Sequence, residues 1–385
     1  MTKFQWNIGV LPFIWKPLSS PTNGVGIPDT LPFKLYMNKK TGLLMQEPNF
    51  LTSSTLSKVY TKGSTMTGMM DNFGIGKSYA DDFLAFLHKT INIYQLNGFN
   101  VLEIGCGTGY LLSRLKQLGA ECIGLEPGKH SQIGAEQYGI QIINDFFPSE
   151  RIKETYDIIL FYTVLEHFED PFDFLIQVKS YLKPGGQILL GVPDCEPYMD
   201  AGDISFLIHE HWNYFKESTL RNTLISAGAY DIHIEKSKFG GALYASAKFI
   251  SNFSQTEAND ILTELNTLQL FKKRFKNREK GLISFINQIK DESKTLAIYV
   301  PSRAVNALTI GEADLSHCRF FDDNSLLHGT YFPGINIPIE SRQRLIDNPT
   351  DAVLVMSFSF GHIIAYELKA LLPARIIIKT WSDFF

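Results

Sequence analysis

The run Val101-Leu102-Glu103-Ile104-Gly105-Cys106-Gly107-Thr108-Gly109-Tyr110 decides the fold. A short apolar stretch ends in three alternating glycines and leads into Tyr110-Leu111-Leu112-Ser113-Arg114-Leu115, whose apolar spacing is helical. Glycine suits such a strand-to-helix loop because a side chain there would keep a ligand away from the backbone at the carboxyl edge of a sheet. The spacing is GxGxG with Tyr110 in the sixth place, so the dinucleotide pattern GxGxxG is not met. That favours a nucleoside bound without phosphates over a pyrophosphate. A tight turn with no ligand is the plain alternative.

Strands and helices alternate outward from the loop. VLEIG reads as a strand, GYLLSRLKQLG as a helix, ECIGLEP as a strand, SQIGAEQYG as a helix, then IQIIND and YDIILFYT as strands. A helix from about Pro171 to Leu182 leads through the turn Lys183-Pro184-Gly185-Gly186 into QILLGVP, a fifth strand. This rhythm predicts a parallel sheet with helices on both faces. Before it, Lys77 to Tyr94 carries Phe83, Phe86, Leu87 and Ile91 at helical spacing. Six prolines among the first ~50 residues argue against long helices there, and the reading is a small irregular lobe with a hairpin around FKLYMNKKTGLLMQ. Residues 255–293 are polar, with Ile261, Leu265, Leu268, Phe271 and Phe275 on one helical face. A second alternation follows: LAIYV, RFFDD, AVLVMSFS and RIIIK. The expected architecture is α/β: an amino-terminal lobe (1–75), a Rossmann-like domain (76–254), a helical connector (255–295) and a second, smaller α/β carboxy-terminal domain (296–385).

At 385 residues the chain is too long for one core. Its 44% hydrophobic and 20% charged residues are those of a soluble globular protein. A net charge of -4 gives no field for nucleic acid, and the basic run Lys272 to Lys280 reads as the solvated face of a helix. The four cysteines, Cys106, Cys122, Cys195 and Cys318, show no CxxC pair, which gives no basis for a disulfide framework or a zinc site. No window approaches the ~20 apolar residues of a membrane span, and the amino terminus lacks a signal-peptide pattern. A cytoplasmic protein, without membrane or nucleic-acid partners, is expected.

Two acidic groups follow the loop. Glu126 ends the second strand about twenty residues downstream, where a carboxylate can bind ribose hydroxyls. Asn144-Asp145-Phe146 closes the third strand, where a polar and an apolar side chain can hold an adenine. Together with TVLEHFEDP and LKPGGQILLGVPD, these residues resemble the class I S-adenosylmethionine (SAM)-dependent methyltransferases over about residues 98–196. The resemblance implies SAM as cofactor, held by Glu103 near the methionine amino group, Gly105, Gly107 and Gly109 in the loop, Glu126 at the ribose, and Asn144, Asp145 and Phe146 at the adenine. His167, in LEHFEDP, lies in a stretch that lines the cofactor site in many relatives.

An acceptor site is expected after the fifth strand, where Ile208-His209-Glu210-His211-Trp212-Asn213-Tyr214-Phe215 sets two histidines around a glutamate among aromatics. These suit proton abstraction in a partly dry pocket. The i, i+2 spacing of the histidines is not the i, i+4 of a zinc-binding helix, and no metal is expected. A histidine pair packed at a domain junction is the structural alternative. IHEHWNYF, the turn Phe239-Gly240-Gly241-Ala242-Leu243-Tyr244 and FDDNSLLHGTYFPGINIPI resemble the C-methyltransferases of nucleotide-linked 4-keto-deoxysugars. That resemblance covers most of the chain past residue 55. It implies a base at His211 that removes the proton beside a ketone, Glu210 orienting groups or binding sugar, and Tyr60, in VYTKGST, closing over the site. It also implies a nucleotide-sugar substrate and a monomer or weak homodimer. The chain departs from that family in three places: its first lobe has no cysteines, Ile208 replaces a tyrosine, and Tyr244 replaces an arginine. O- or N-methylation of a sugar or secondary metabolite, and a catalytically inactive SAM-binding interaction protein, are the other readings.

Overall fold

A computed structural model describes residues 4–62, 70–91, 96–250, 261–358 and 360–384, without the side chains of Thr61, Lys62 and Ile133. The amino-terminal lobe is a sheet rather than an irregular segment. Strands β1 (Gln5–Pro12), β2 (Thr30–Met37) and β3 (Leu44–Gln46) pair antiparallel, and β9 (Asn213–Tyr214) adds to β3. The lobe thus borrows a strand from far along the chain, which brings the segment around His211 against it. Alternate burial along β2, with Leu31, Phe33 and Leu35 inside, shows why the prolines did not prevent a strand: Pro12 and Pro32 sit on β1 and β2, not in long helices. A helix, α1 (Phe50–Lys62), follows.

After α2 (Gly74–Thr90) the alternation runs β4 (Asn100–Ile104), α3 (Tyr110–Lys116), β5 (Glu121–Leu125), α4 (His130–Tyr138), β6 (Gln141–Ile143), β7 (Tyr156–Tyr162), α5 (Pro171–Ser180) and β8 (Leu182–Pro193). Then come α6 (Glu196–Ala201), β9, α7 (Glu217–Ser226), β10 (Ala229–Lys236) and β11 (Ala242–Phe249). The sheet order is β10-β11-β8-β7-β4-β5-β6. β4 to β8 are parallel, while β11 and β10 are antiparallel additions at one edge. The order reverses between β4 and β7, so a crevice opens there at the carboxyl ends of the strands. Strands buried on both faces read as continuous apolar runs, as Ile158–Phe161 of β7 does. The expected Lys183–Gly186 turn is instead a bulge in β8: Tyr156 pairs Leu182, and Ile158 pairs Gln187.

Helix α8 (Ile261–Asp291) spans about 46 Å at 1.5 Å per residue. It buries Leu265, Leu268, Phe271, Phe275, Leu282 and Phe285 in a core shared with Trp6 of β1. That core also takes in Leu296 and Ile298 of β12 (Leu296–Tyr299), so the helix welds the lobe to the last domain. The remaining elements are α9 (Val305–Ile310), β13 (Cys318–Phe321), β14 (Ile339–Glu340), α10 (Arg342–Asp347), β15 (Ala352–Val355), α11 (Gly361–Leu371) and β16 (Ile377–Thr380). They form a parallel sheet of order β14-β13-β12-β15-β16. The architecture is a Rossmann-like α/β fold with a second α/β domain. No helix among the described residues is long and apolar enough to cross a membrane.

Candidate functional site

The cofactor side is built at the reversal of the seven-stranded sheet. Gly105, Gly107 and Gly109 all hold positive φ, at 69°, 53° and 70°. A Cβ on Gly105 would lie 2.5 Å from Val164 Cγ2, so glycine is required there for space as well as conformation. The loop is anchored to β5, whose Leu125 carbonyl accepts from the N–H groups of Gly105 and Cys106 at 2.7 and 3.2 Å. Glu126 reaches back into the loop, its two carboxylate oxygens accepting from Gly107 N at 3.0 Å and Gly128 N at 2.7 Å.

Glu103 is buried beside this loop, and its Oε2 has no hydrogen-bond partner among the described residues. Burial, then the charge of Glu126, pushes its carboxyl well above the usual range. A buried orphan carboxylate calls for a cation, and an ammonium group of the methionine kind meets that demand. Asp145 accepts from Phe146 N and Ser149 Oγ at 2.9 and 2.7 Å, and the Ser149 bond holds it below its ordinary value. Phe146 is half-exposed beside it. Asn144 is committed elsewhere, because its amide donates to the carbonyls of Glu126, Pro127 and Gly128 and to Ser131 Oγ, at 2.9–3.1 Å. Those bonds shape the turn that carries Glu126, so Asn144 supports the site from behind.

The acceptor side forms where β7 ends. A short helical turn, Leu165–His167, carries Glu166 and His167. One backbone bond and one side-chain bond lock it to the segment after Glu210: Trp212 N donates to Glu166 O at 2.7 Å, and the Asn213 side-chain Nδ2 donates to Phe168 O at 2.6 Å. His167 Nδ1 lies 2.9 Å from the Glu210 carbonyl. A carbonyl can only accept, so Nδ1 carries the proton and Nε2 is bare. The His167 and His211 rings meet edge to face at 4.9 Å. Tyr60 arrives from α1, its hydroxyl 3.5 Å from His167 Nδ1. Burial first, then the charges of Glu210 and Glu166, holds the Tyr60 phenol well above its usual value. His211 is half-buried, and burial followed by the proximity of His167 keeps it well below the ordinary histidine value. His167 is pushed down to about 4 by burial.

The structure therefore brings Tyr60, Glu210 and His211 together, and it separates the histidine pair. His209 points away into the amino-terminal lobe, buried between Phe13 and Phe33, with Nε2 3.2 Å from Leu31 O. The junction-packing alternative thus describes His209, while His211 faces His167 instead. Glu166 escaped the sequence reading, although LEH places it next to His167. It is fully buried, neither carboxylate oxygen has a partner among the described residues, and burial pushes it up to about 8. Tyr244, one of the three departures from the resembled family, is buried and donates to Asp82 Oδ2 of α2 at 2.8 Å, so it forms part of the core. Ile208 is 37% exposed at the rim.

Comparisons with known proteins match two families along the chain. A family described as "Methyltransferase domain" matches residues 75–234, and one described as "C-methyltransferase C-terminal domain" matches residues 233–376. Among curated proteins, the chain is 34% identical over 96 residues to a ubiquinone biosynthesis O-methyltransferase of Roseobacter denitrificans, covering 23% of this chain and 39% of that one. It is 33% identical over 121 residues to a tRNA U34 carboxymethyltransferase of Hydrogenovibrio crunogenus, covering 27% and 36%. The chain thus spans about two fifths or less of the length of these relatives. A solved magnesium protoporphyrin IX methyltransferase from Synechocystis PCC 6803 with bound SAM is 16% identical, covering 52% of this chain and 94% of that one, with a TM-score of 0.36. The glycine loop and Glu126 thus lie in a segment that matches a methyltransferase-domain family, and the chain joins that segment to one that matches a C-methyltransferase C-terminal domain family.

Proposed function

We propose that the chain methylates a carbon beside the carbonyl of a nucleotide-linked keto-deoxysugar, acting in the cytoplasm as a monomer or weak homodimer. One observation carries the reading: a C-methyltransferase C-terminal domain follows the SAM domain, and the Tyr60–His167–His211 cluster forms between the lobe and that SAM domain. When bound, SAM supplies a methyl group already activated on a sulfonium. Glu103, the three loop glycines, Glu126, Asp145 and Phe146 hold it.

The protein must then make a carbon nucleophilic. A C–H next to a ketone is a much weaker acid than imidazolium, so a base and its surroundings share the work. His211, neutral through the physiological range, offers the lone pair that takes this proton. The Tyr60 hydroxyl is the nearby donor suited to the carbonyl oxygen as charge develops on it. Glu210 sets the stage through its backbone, whose carbonyl fixes the tautomer and ring plane of His167 beside His211. Ile208 in place of tyrosine and Tyr244 in place of arginine point to an acceptor with an apolar edge and phosphates bound elsewhere. O-methylation, in which the same histidine deprotonates a hydroxyl, is the second reading, favoured by the ubiquinone O-methyltransferases among the relatives.

Deuterium exchange separates the two. In heavy water without SAM, the enzyme should exchange the proton on the carbon next to the ketone of a nucleotide 4-keto-sugar. His211→Ala should slow exchange by about 10²–10⁴-fold, the range for a general base, with SAM affinity intact. Wild-type exchange by His211→Ala would remove the base, leaving His167 and Tyr60 as candidates, and no exchange by either protein would favour oxygen.

A further inference from the structure

We propose that Glu166, His167 and His211 form a binding site for one divalent ion of the zinc class, and that the bound ion blocks the acceptor side. A ring nitrogen from each histidine and a carboxylate oxygen of Glu166 all lie within 4.8 Å of one another. Donors around a tetrahedral ion with bonds near 2.0–2.1 Å stand about 3.3 Å apart, so a shift of roughly 1 Å in the side chains closes the set.

Glu166 supplies the independent reason to expect an occupant. It is fully buried, with neither oxygen partnered among the described residues, and an unpaired polar group in that position is unfavourable. His167 is prepared as a ligand, because Nδ1 is committed to the Glu210 carbonyl and Nε2 keeps its lone pair. The backbone holds the donors in place, since Trp212 N is bound to Glu166 O and Asn213 bridges to Leu165 and Phe168. Two imidazoles with one carboxylate suit zinc, cobalt or nickel, whereas magnesium and calcium need more oxygens.

Ion binding and proton abstraction draw on the same His211 lone pair, so an occupied site lacks its base. Only this inhibitory half rests on the proposed role of His211. Binding itself does not.

The test titrates chelator-treated full-length protein with Co²⁺, without substrate, following the visible bands of tetrahedral cobalt, with Zn²⁺ as competitor. One ion per chain is expected, weakened at least about 100-fold by Glu166→Gln and again by His167→Ala, the top of the range for disturbed metal surroundings. SAM titration confirms that each variant is folded, and the second variant reads the same site if the first does not fold. Zn²⁺ should stop the deuterium exchange, and chelator should restore it. Absent bands, bands unchanged in both variants, or sulfur-to-cobalt transitions would overturn the site. Cobalt bands with undiminished exchange under Zn²⁺ would keep the site and overturn the inhibition.

Discussion

The seven-stranded and five-stranded sheets share a design, in which parallel strands fill one side from the middle and then cross to the other. The reversal lies between β4 and β7 in the first and between β12 and β15 in the second. Beyond β4 come three glycines with positive φ, and β4 itself carries the buried Glu103, whose Oε2 has no partner among the described residues. Beyond β12 comes Val300, itself at φ 60°, and then Pro301. There the Tyr299 hydroxyl donates to Asp323 at 2.5 Å and accepts from Arg342 at 2.8 Å, so that end is occupied by the domain's own side chains. Both topologies create a crevice, but the local backbone decides whether a nucleoside can enter it.

The largest effect on the cofactor side is expected from Gly105→Val. A β-branched residue at φ 69° costs about 1–3 kcal/mol in strain alone, and its Cβ would meet Val164. The loop must either carry that strain or change shape, and SAM affinity by calorimetry should fall at least about tenfold. Wild-type affinity would show that the glycine serves the turn only. Glu126→Ala comes next: removing the carboxylate that ties Gly107 to Gly128 should weaken SAM by about 1.5–3 kcal/mol, the range for hydrogen bonds to a charged group. Equal affinity in mutant and wild type, or tighter binding of NAD, would place the nucleoside elsewhere. The smallest effect is expected for Val300→Gly in the second sheet. Relief of its strain and loss of a half-buried side chain oppose each other, so thermal unfolding should change by less than about 1 kcal/mol with SAM affinity unmoved. A large loss of SAM binding there would mean that the two reversals are coupled.

Much of the cofactor side was legible because it is local. Strand, glycine loop, helix and the carboxylate at the end of the next strand are contiguous signals, and VLEIG and ECIGLEP became neighbouring parallel strands. The acceptor side was legible only in part, because it is assembled from α1, the turn after β7 and the segment after α6. His209 and His211 look equivalent in sequence. They differ because the chain after Ile208 runs against the lobe, where Phe13, Phe33 and the Leu31 carbonyl take His209. Glu166 was missed for the same reason: its neighbour His211 lies 45 positions away. Asn144 reads as an adenine ligand although its amide is spent on the Glu126–Gly128 turn, since sequence shows where a polar group lies but not what it bonds. In the lobe, the prolines masked a sheet whose fourth strand, β9, comes from far downstream. The expected helix over Lys77–Tyr94 is seen as α2, and Tyr94 lies outside the described residues.

Carbon methylation is tested most directly by incubating the full chain with methyl-labelled SAM and a panel of nucleotide 4-keto-sugars, then locating the label in the product by NMR. A labelled methyl bonded to the carbon next to the carbonyl is expected, formed by the wild type and slowed about 10²–10⁴-fold in His211→Ala. Label on an oxygen or a nitrogen, or equal carbon labelling by His211→Ala, would contradict it.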